Sequence, residues 1–84
     1  MNSLSGLQDW KKIDGKLCKE FEFKNFVEAF GFLSKVALES EKMDHHPEIT
    51  NVYNKVEIKL ITHDLNQISE KDTTLAKKID ELNI

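Results

Sequence analysis

The sequence predicts an α+β fold of two layers, a four-stranded antiparallel sheet with helices packed on one face, in the order β-β-α-β-β-α. Three observations predict it. Two short extended runs meet at Asp14-Gly15, a second pair of extended runs fills 49–63, and two stretches, 25–42 and 69–82, switch to helical spacing. Strands followed by a helix, twice over, give a sheet with helices on one side.

Residues 1–9 are small and polar and read as a loose lead-in to a single domain over 1–84. Trp10 to Ile13 is a short first strand. Asp-Gly between extended runs marks a hairpin, because a type I′ turn needs positive φ at both central residues. Leu17 to Phe23 then alternates, with Leu17, Lys19, Phe21 and Phe23 on one face and Cys18, Glu20 and Glu22 on the other.

At Asn25 the period changes. Asn is a favoured N-cap, and Glu28, three residues later, is placed to accept from the cap's N–H. Phe26, Phe30, Leu33 and Ala37 recur at helical spacing, so a helix is expected over 25–42 with its phenylalanines in the core. Gly31 weakens a helix, and close packing of backbone on the sheet is the expected reason. Pro47 bars helix at His46, so the helix stops at the His45-His46 pair.

Ile49 to Asn54 reads as the third strand, with a turn at Asn54-Lys55. Val56 to His63 is the fourth, placing Val56, Ile58, Leu60 and Thr62 on one face and Glu57, Lys59, Ile61 and His63 on the other. Ser69 caps the last helix, with Asp72 at the third position in a capping-box pattern. Leu75, Ala76, Ile79 and Leu82 form its apolar face, and Ile68 staples its start.

Composition narrows the function. A chain of 84 residues buries only about 60–65% of its unfolded surface, so association between copies would add stability. Net charge is −3 and no Lys/Arg stripe exists, which argues against direct nucleic-acid binding. No apolar run is long enough to span a membrane, and the start lacks a secretory pattern. Cys18 is the only cysteine, so no internal disulfide forms and a reducing, cytoplasmic setting is expected. Nothing near Cys18 in sequence would activate it, and it reads as a packed residue.

All three histidines fall in two places, His45-His46 before Pro47 and His63. Imidazole exchanges protons near neutral pH. Three readings stand side by side. As metal ligands they form a bare three-His set without thiolates or recognisable spacing, so no metal is expected. As structural groups they would be hydrogen-bonded at a helix end. As acid–base groups they could flank a reacting centre with one donor and one acceptor, needing no cofactor. No nucleophile elbow, phosphate loop or dinucleotide fingerprint is present.

Glu41, three residues, His45-His46-Pro47, then Tyr53, His63 and Asp72 form a long signature that resembles the pterin-4a-carbinolamine dehydratases. The flanking stretches Phe26–Glu41, Asp44–Glu48, Asn51–Val56 and Ser69–Asp72 share it, and the resemblance covers about residues 10–82. It implies the same fold and an activity: loss of water from 4a-hydroxytetrahydropterin to give quinonoid dihydropterin, in recycling of the tetrahydropterin cofactor of aromatic amino-acid hydroxylases. The pterin is the substrate, and no cofactor is implied.

Carried over residue by residue, His45, His46 and His63 form the active site. His45 and His63 are expected to move protons and His46 to bind and orient the pterin. Asp44, Ile61, Thr62 and Asp64 are expected to line the pocket, and Glu41 and Asp72 to accept imidazole N–H groups. Each carboxylate also has a plain reading, as a residue of a helical end. Tyr53 is expected to pack.

The resemblance also implies a homodimer or homotetramer. It offers an alternative function, since some animal members act as dimerisation cofactor of a homeodomain transcription factor. Such an interaction module would work in the nucleus, the enzyme in the cytoplasm. Two departures stand out. Many members begin with an extra helix where this chain has its polar lead-in, and relatives often carry Trp where this chain has Ile49, removing an expected aromatic wall.

Overall fold

The computed structural model describes residues 9–83. The lead-in expected over 1–9 therefore lies outside the described residues, apart from an exposed Asp9 in a turn. The elements are β1 (Lys11–Ile13), β2 (Lys16–Glu22), α1 (Phe26–Met43), β3 (Glu48–Val52), β4 (Lys55–Leu60) and α2 (Glu70–Leu82). The strands form one antiparallel sheet in the order β1-β2-β4-β3.

The β1–β2 turn follows from its residues. Asp14 and Gly15 take φ of 52° and 77°, the paired positive values a two-residue type I′ hairpin demands. In the other hairpin Val52 pairs with Lys55, so the turn residues are Tyr53-Asn54, one position earlier than expected. Asn54 is tied down from both directions: it donates through Nδ2 to Phe23 O (2.8 Å), and its carbonyl accepts from Phe23 N (2.8 Å). Tyr53 is left with φ 51° and an exposed side chain.

Alternation along β2 and β4 sends Leu17, Phe21, Val56, Ile58 and Leu60 to the helix side. There they meet Ala29, Phe32, Leu33 and Val36 of α1 and Leu75, Ala76 and Ile79 of α2 in one core, with Phe23, Met43, Ile68 and Leu82 packed at its margin. Trp10 closes one end. Its ring stands edge-on to Phe21 (centroids 6.2 Å apart), its indole N–H is shared between both Asp80 carboxylate oxygens (3.1 Å each), and the Lys19 ammonium lies over it while pairing with Asp80 at 2.7 Å.

Helix α1 begins as its cap residue dictates, Asn25 Oδ1 accepting from Glu28 N at 2.9 Å. Glu28 reaches back one residue further than expected, to Lys24 N (3.2 Å). The buried stripe is rotated from the expected one. Ala29, Phe32, Leu33, Val36 and Ser40 face inward, whereas Phe26, Phe30 and Ala37 are exposed. The expectation that all its phenylalanines are core holds for Phe32 alone. Nor does Gly31 pack on the sheet: it is exposed, and a Cβ there would meet nothing within 4 Å.

Strand β4 ends at Leu60, three residues short of His63. The reason lies in its neighbours. Leu60 sits opposite Leu17, next to the first residue of β2, and β3 begins opposite Lys59, so both neighbouring strands run out within a residue of it. Ile61, expected on the mostly polar face, is buried, and Thr62 closes a separate bridge with Gln67. His63 therefore stands in the turn 62–67, where Asn66 N donates to its carbonyl at 3.1 Å.

Candidate active site

The end of α1 sets the first half of the site. Asp44 takes the left-handed conformation (φ 52°, ψ 43°), and its N–H closes the helix on the carbonyls of Glu41 and Ser40. His45 N then donates to Ser40 O at 3.1 Å, and Pro47 keeps the chain extended into β3. This sharp exit sends adjacent imidazoles to opposite environments. His45 is buried and His46 is exposed.

The start of α2 sets the second half. Ser69 caps it, and Asp72 accepts from Ser69 N at 2.9 Å, completing the capping box. Asp72 is fully buried and serves three donors. Its Oδ1 lies 2.5 Å from His45 Nε2, and its Oδ2 accepts from Thr62 Oγ1 at 2.7 Å as well as from Ser69 N. A carboxylate accepts, so in this pair the N–H is that of His45 Nε2. The second carboxylate partner is also present: Glu41 Oε1 lies 2.6 Å from His46 Nε2, at an open surface.

His45, His46 and His63 line one hollow of about 190 Å³, together with Asp44, Thr62, Asp64 and Lys71. It is open and smaller than the ~300–1,000 Å³ common for ligand clefts. Three larger hollows among the described residues, of about 230, 360 and 410 Å³, contain no histidine. Of the residues expected to line the pocket, Asp44, Thr62 and Asp64 line this hollow and the buried Ile61 does not. Ile49, at the position of the expected aromatic wall, also lies off the hollow.

The hydroxyl and backbone groups of Thr62 are already engaged, the hydroxyl with Asp72 and Ser69 and the backbone with Leu65 and Gln67. Lys71 is the lining residue that sequence reasoning missed. Its signal was its place one residue before Asp72, in a helical first turn that the fold brings beside the histidines.

Glu48 follows the His-His-Pro segment. The hydrogen bond from Lys16 Nζ holds its carboxyl below the usual range, with Lys16 charge and then the nearby His63 adding to this. Among the described residues, no group of three or more His, Cys, Asp or Glu side chains is arranged to hold a metal ion.

Comparison with known proteins points the same way. The family model described as pterin 4 alpha carbinolamine dehydratase matches residues 1–82. A Prochlorococcus marinus protein, named as an inferred pterin-4-alpha-carbinolamine dehydratase, is 51% identical over 76 residues, covering 90% of this chain and 79% of its own. A protein of the same name from another strain of that organism, NATL2A, is 61% identical over 71 residues, covering 83% and 75%.

Among solved structures, a transcriptional coactivator/pterin dehydratase from Brucella melitensis superposes with a TM-score of 0.91 at 41% identity, over 95% of this chain and 87% of that one. A pterin dehydratase-like protein identified as a RuBisCO assembly factor in the alpha-carboxysome superposes with a TM-score of 0.72 at 27% identity, over 87% and 84%. With the family model matched over nearly its whole length, the chain belongs to the pterin 4 alpha carbinolamine dehydratase family.

Proposed function

We propose that this protein eliminates water from a 4a-hydroxytetrahydropterin to give the quinonoid dihydropterin, by general acid–base catalysis at His45, His46 and His63. The reaction needs an acid to protonate the departing 4a-hydroxyl and a base to take the N5 proton, so water leaves and no net charge is gained. The observation that carries the reading is the gathering of all three imidazoles of the chain around one hollow.

In this reading His45 and His63 move the protons. His46, Asp44 and Asp64 hold and orient the ring. Asp72 and Glu41 orient His45 and His46 by accepting their N–H groups. Tetrahydropterin recycling in the cytoplasm is the expected setting. No described helix is long and apolar enough to cross a membrane. The test is a stopped-flow dehydration assay on freshly generated 4a-hydroxytetrahydropterin. Acceleration over the uncatalysed rate supports the enzyme, and a rate equal to buffer sinks it.

Two features support a homodimer or homotetramer as the working form. Strand β3 is a sheet edge carrying the exposed Ile49 and Val52, and α1 exposes Phe26, Val27, Phe30 and Leu38 on its outer side. Pairing or covering such surfaces removes an aggregation liability. The same helix face gives a second reading substance, an interaction module with little catalysis, in line with the coactivator and assembly-factor names of the two structural relatives. Binding of a protein partner without turnover would favour it.

A further inference from the structure

We infer that Thr62 is a positioning residue of the site, whose hydroxyl orients the Asp72 carboxylate that in turn holds the His45 ring. The inference rests on the acid–base reading above for its kinetic consequence and on hydrogen-bond counting for its geometry.

Thr62 is 5% exposed, and its hydroxyl carries one hydrogen, which goes to Asp72 Oδ2 at 2.7 Å. The 2.6 Å contact between Thr62 Oγ1 and Ser69 Oγ must then use the hydrogen of Ser69. Ser69 Oγ in turn accepts from Lys71 N at 3.3 Å. The chain of donors runs one way, from the α2 backbone through Ser69 and Thr62 to Asp72, and each member polarises the next. With Ser69 N as well, Oδ2 holds two donors, and Oδ1 is left to His45 Nε2. Rotation of the carboxylate would break two bonds to Oδ2 at once, so the position of Oδ1 is fixed.

The same hydroxyl ties the two halves of the site together. Thr62 exchanges backbone hydrogen bonds with Gln67 (3.0 and 3.4 Å), and His63 is its direct neighbour in the turn so closed. One carboxylate therefore anchors the ring of His45 through one oxygen and the base of the His63 turn through the other. The capping box alone does not require this, since Ser69 and Asp72 satisfy it between themselves.

The test compares Thr62→Val, which deletes the donor at similar volume, with Thr62→Ser, which keeps it. Ring ¹⁵N spectra of the substrate-free proteins should show His45 held as the Nε2-protonated form in the native protein and Thr62→Ser, and redistributed between ring forms in Thr62→Val. Dehydration kcat should fall about tenfold in Thr62→Val, the loss expected for one hydrogen bond to a charged group, with KM within about twofold and Thr62→Ser close to native.

A folded Thr62→Val with unchanged His45 signals overturns the inference. So does equal impairment of both variants, which would mark packing and not the hydroxyl. Should Thr62→Val fail to fold, the native protein decides: a Thr62 hydroxyl proton protected from exchange supports the bond, and a rapidly exchanging one overturns it. The ring signals do not depend on turnover, so an inactive native protein would refute the dehydratase reading and leave the Thr62 assignment to be judged by the spectra.

Discussion

His45 and His46 are neighbours in the chain with opposite surroundings: the side chain of the first is 9% exposed and that of the second 56%. The left-handed Asp44 and the rigid Pro47 on either side produce the split. Their carboxylate partners differ in the same way, Asp72 being fully buried and the Glu41 side chain 76% exposed.

Unequal effects on catalysis follow. His45→Ala and His63→Ala should each lower kcat by about 10²–10⁴-fold, the range for loss of a general acid or base. His46→Ala should mainly raise KM, because an exposed ring paired with an exposed carboxylate is fixed weakly and contributes chiefly to binding. Steady-state kinetics on the carbinolamine measure the split. Full activity in both His45→Ala and His63→Ala would remove them from the mechanism.

The outer face of α1 should govern assembly. Phe30 is 56% exposed and stands beside Phe26, ring centroids 5.7 Å apart. Phe30→Glu should leave the fold intact, with a change in monomer stability of no more than about 0.5 kcal/mol, as for other surface substitutions. The mass by light scattering should fall to that of fewer copies. An unchanged mass would direct attention to the β3 edge.

Cys18 should react slowly. Burial pushes its thiol above the ordinary range, outweighing the lowering effect of nearby Lys59. A raised thiol holds less thiolate at neutral pH, and its sulfur is also shielded. Alkylation of the folded protein should be roughly tenfold or more slower than that of the denatured chain, and the gap should persist as pH rises through the ordinary thiol range. Equal rates would show the thiol to be open.

The sheet centre should dominate stability. Ile58 of β4 is fully buried between β2 and β3 and faces both helices in the core. Ile58→Ala should cost about 2–5 kcal/mol. In a domain this size that lowers Tm by at least about 10 °C, as calorimetry would read. A shift of a degree or two would mean the site collapses around the missing atoms.

The features legible in the sequence were those set by local chemistry. Asp14-Gly15 specifies its turn, Asn25 and Ser69-Asp72 specify caps, and Pro47 keeps the chain after the Asp44 cap from resuming as helix, each through the backbone needs of a few residues. The grouping of the three histidines was legible too, because the strand order places the start of β3 and the end of β4 side by side. The face of α1 was not. Phe26, Val27, Phe30 and Leu38 add a second apolar arc to Ala29, Phe32, Leu33 and Val36, and spacing alone cannot tell which arc meets the sheet. The end of β4 was hidden for a related reason. The alternation of letters continues to His63, but a strand lasts only as long as its neighbours do, and that length is a property of the assembled sheet.

Trp10, the only tryptophan in the sequence, is wedged where the start of the described chain, the sheet and α2 converge. Its indole is shielded from water, with a carboxylate at its N–H and an ammonium over its ring. Tryptophan fluorescence thus has a single source that shifts to longer wavelength when those three parts separate, and the protein carries its own optical gauge of cooperative melting without a dye or a label.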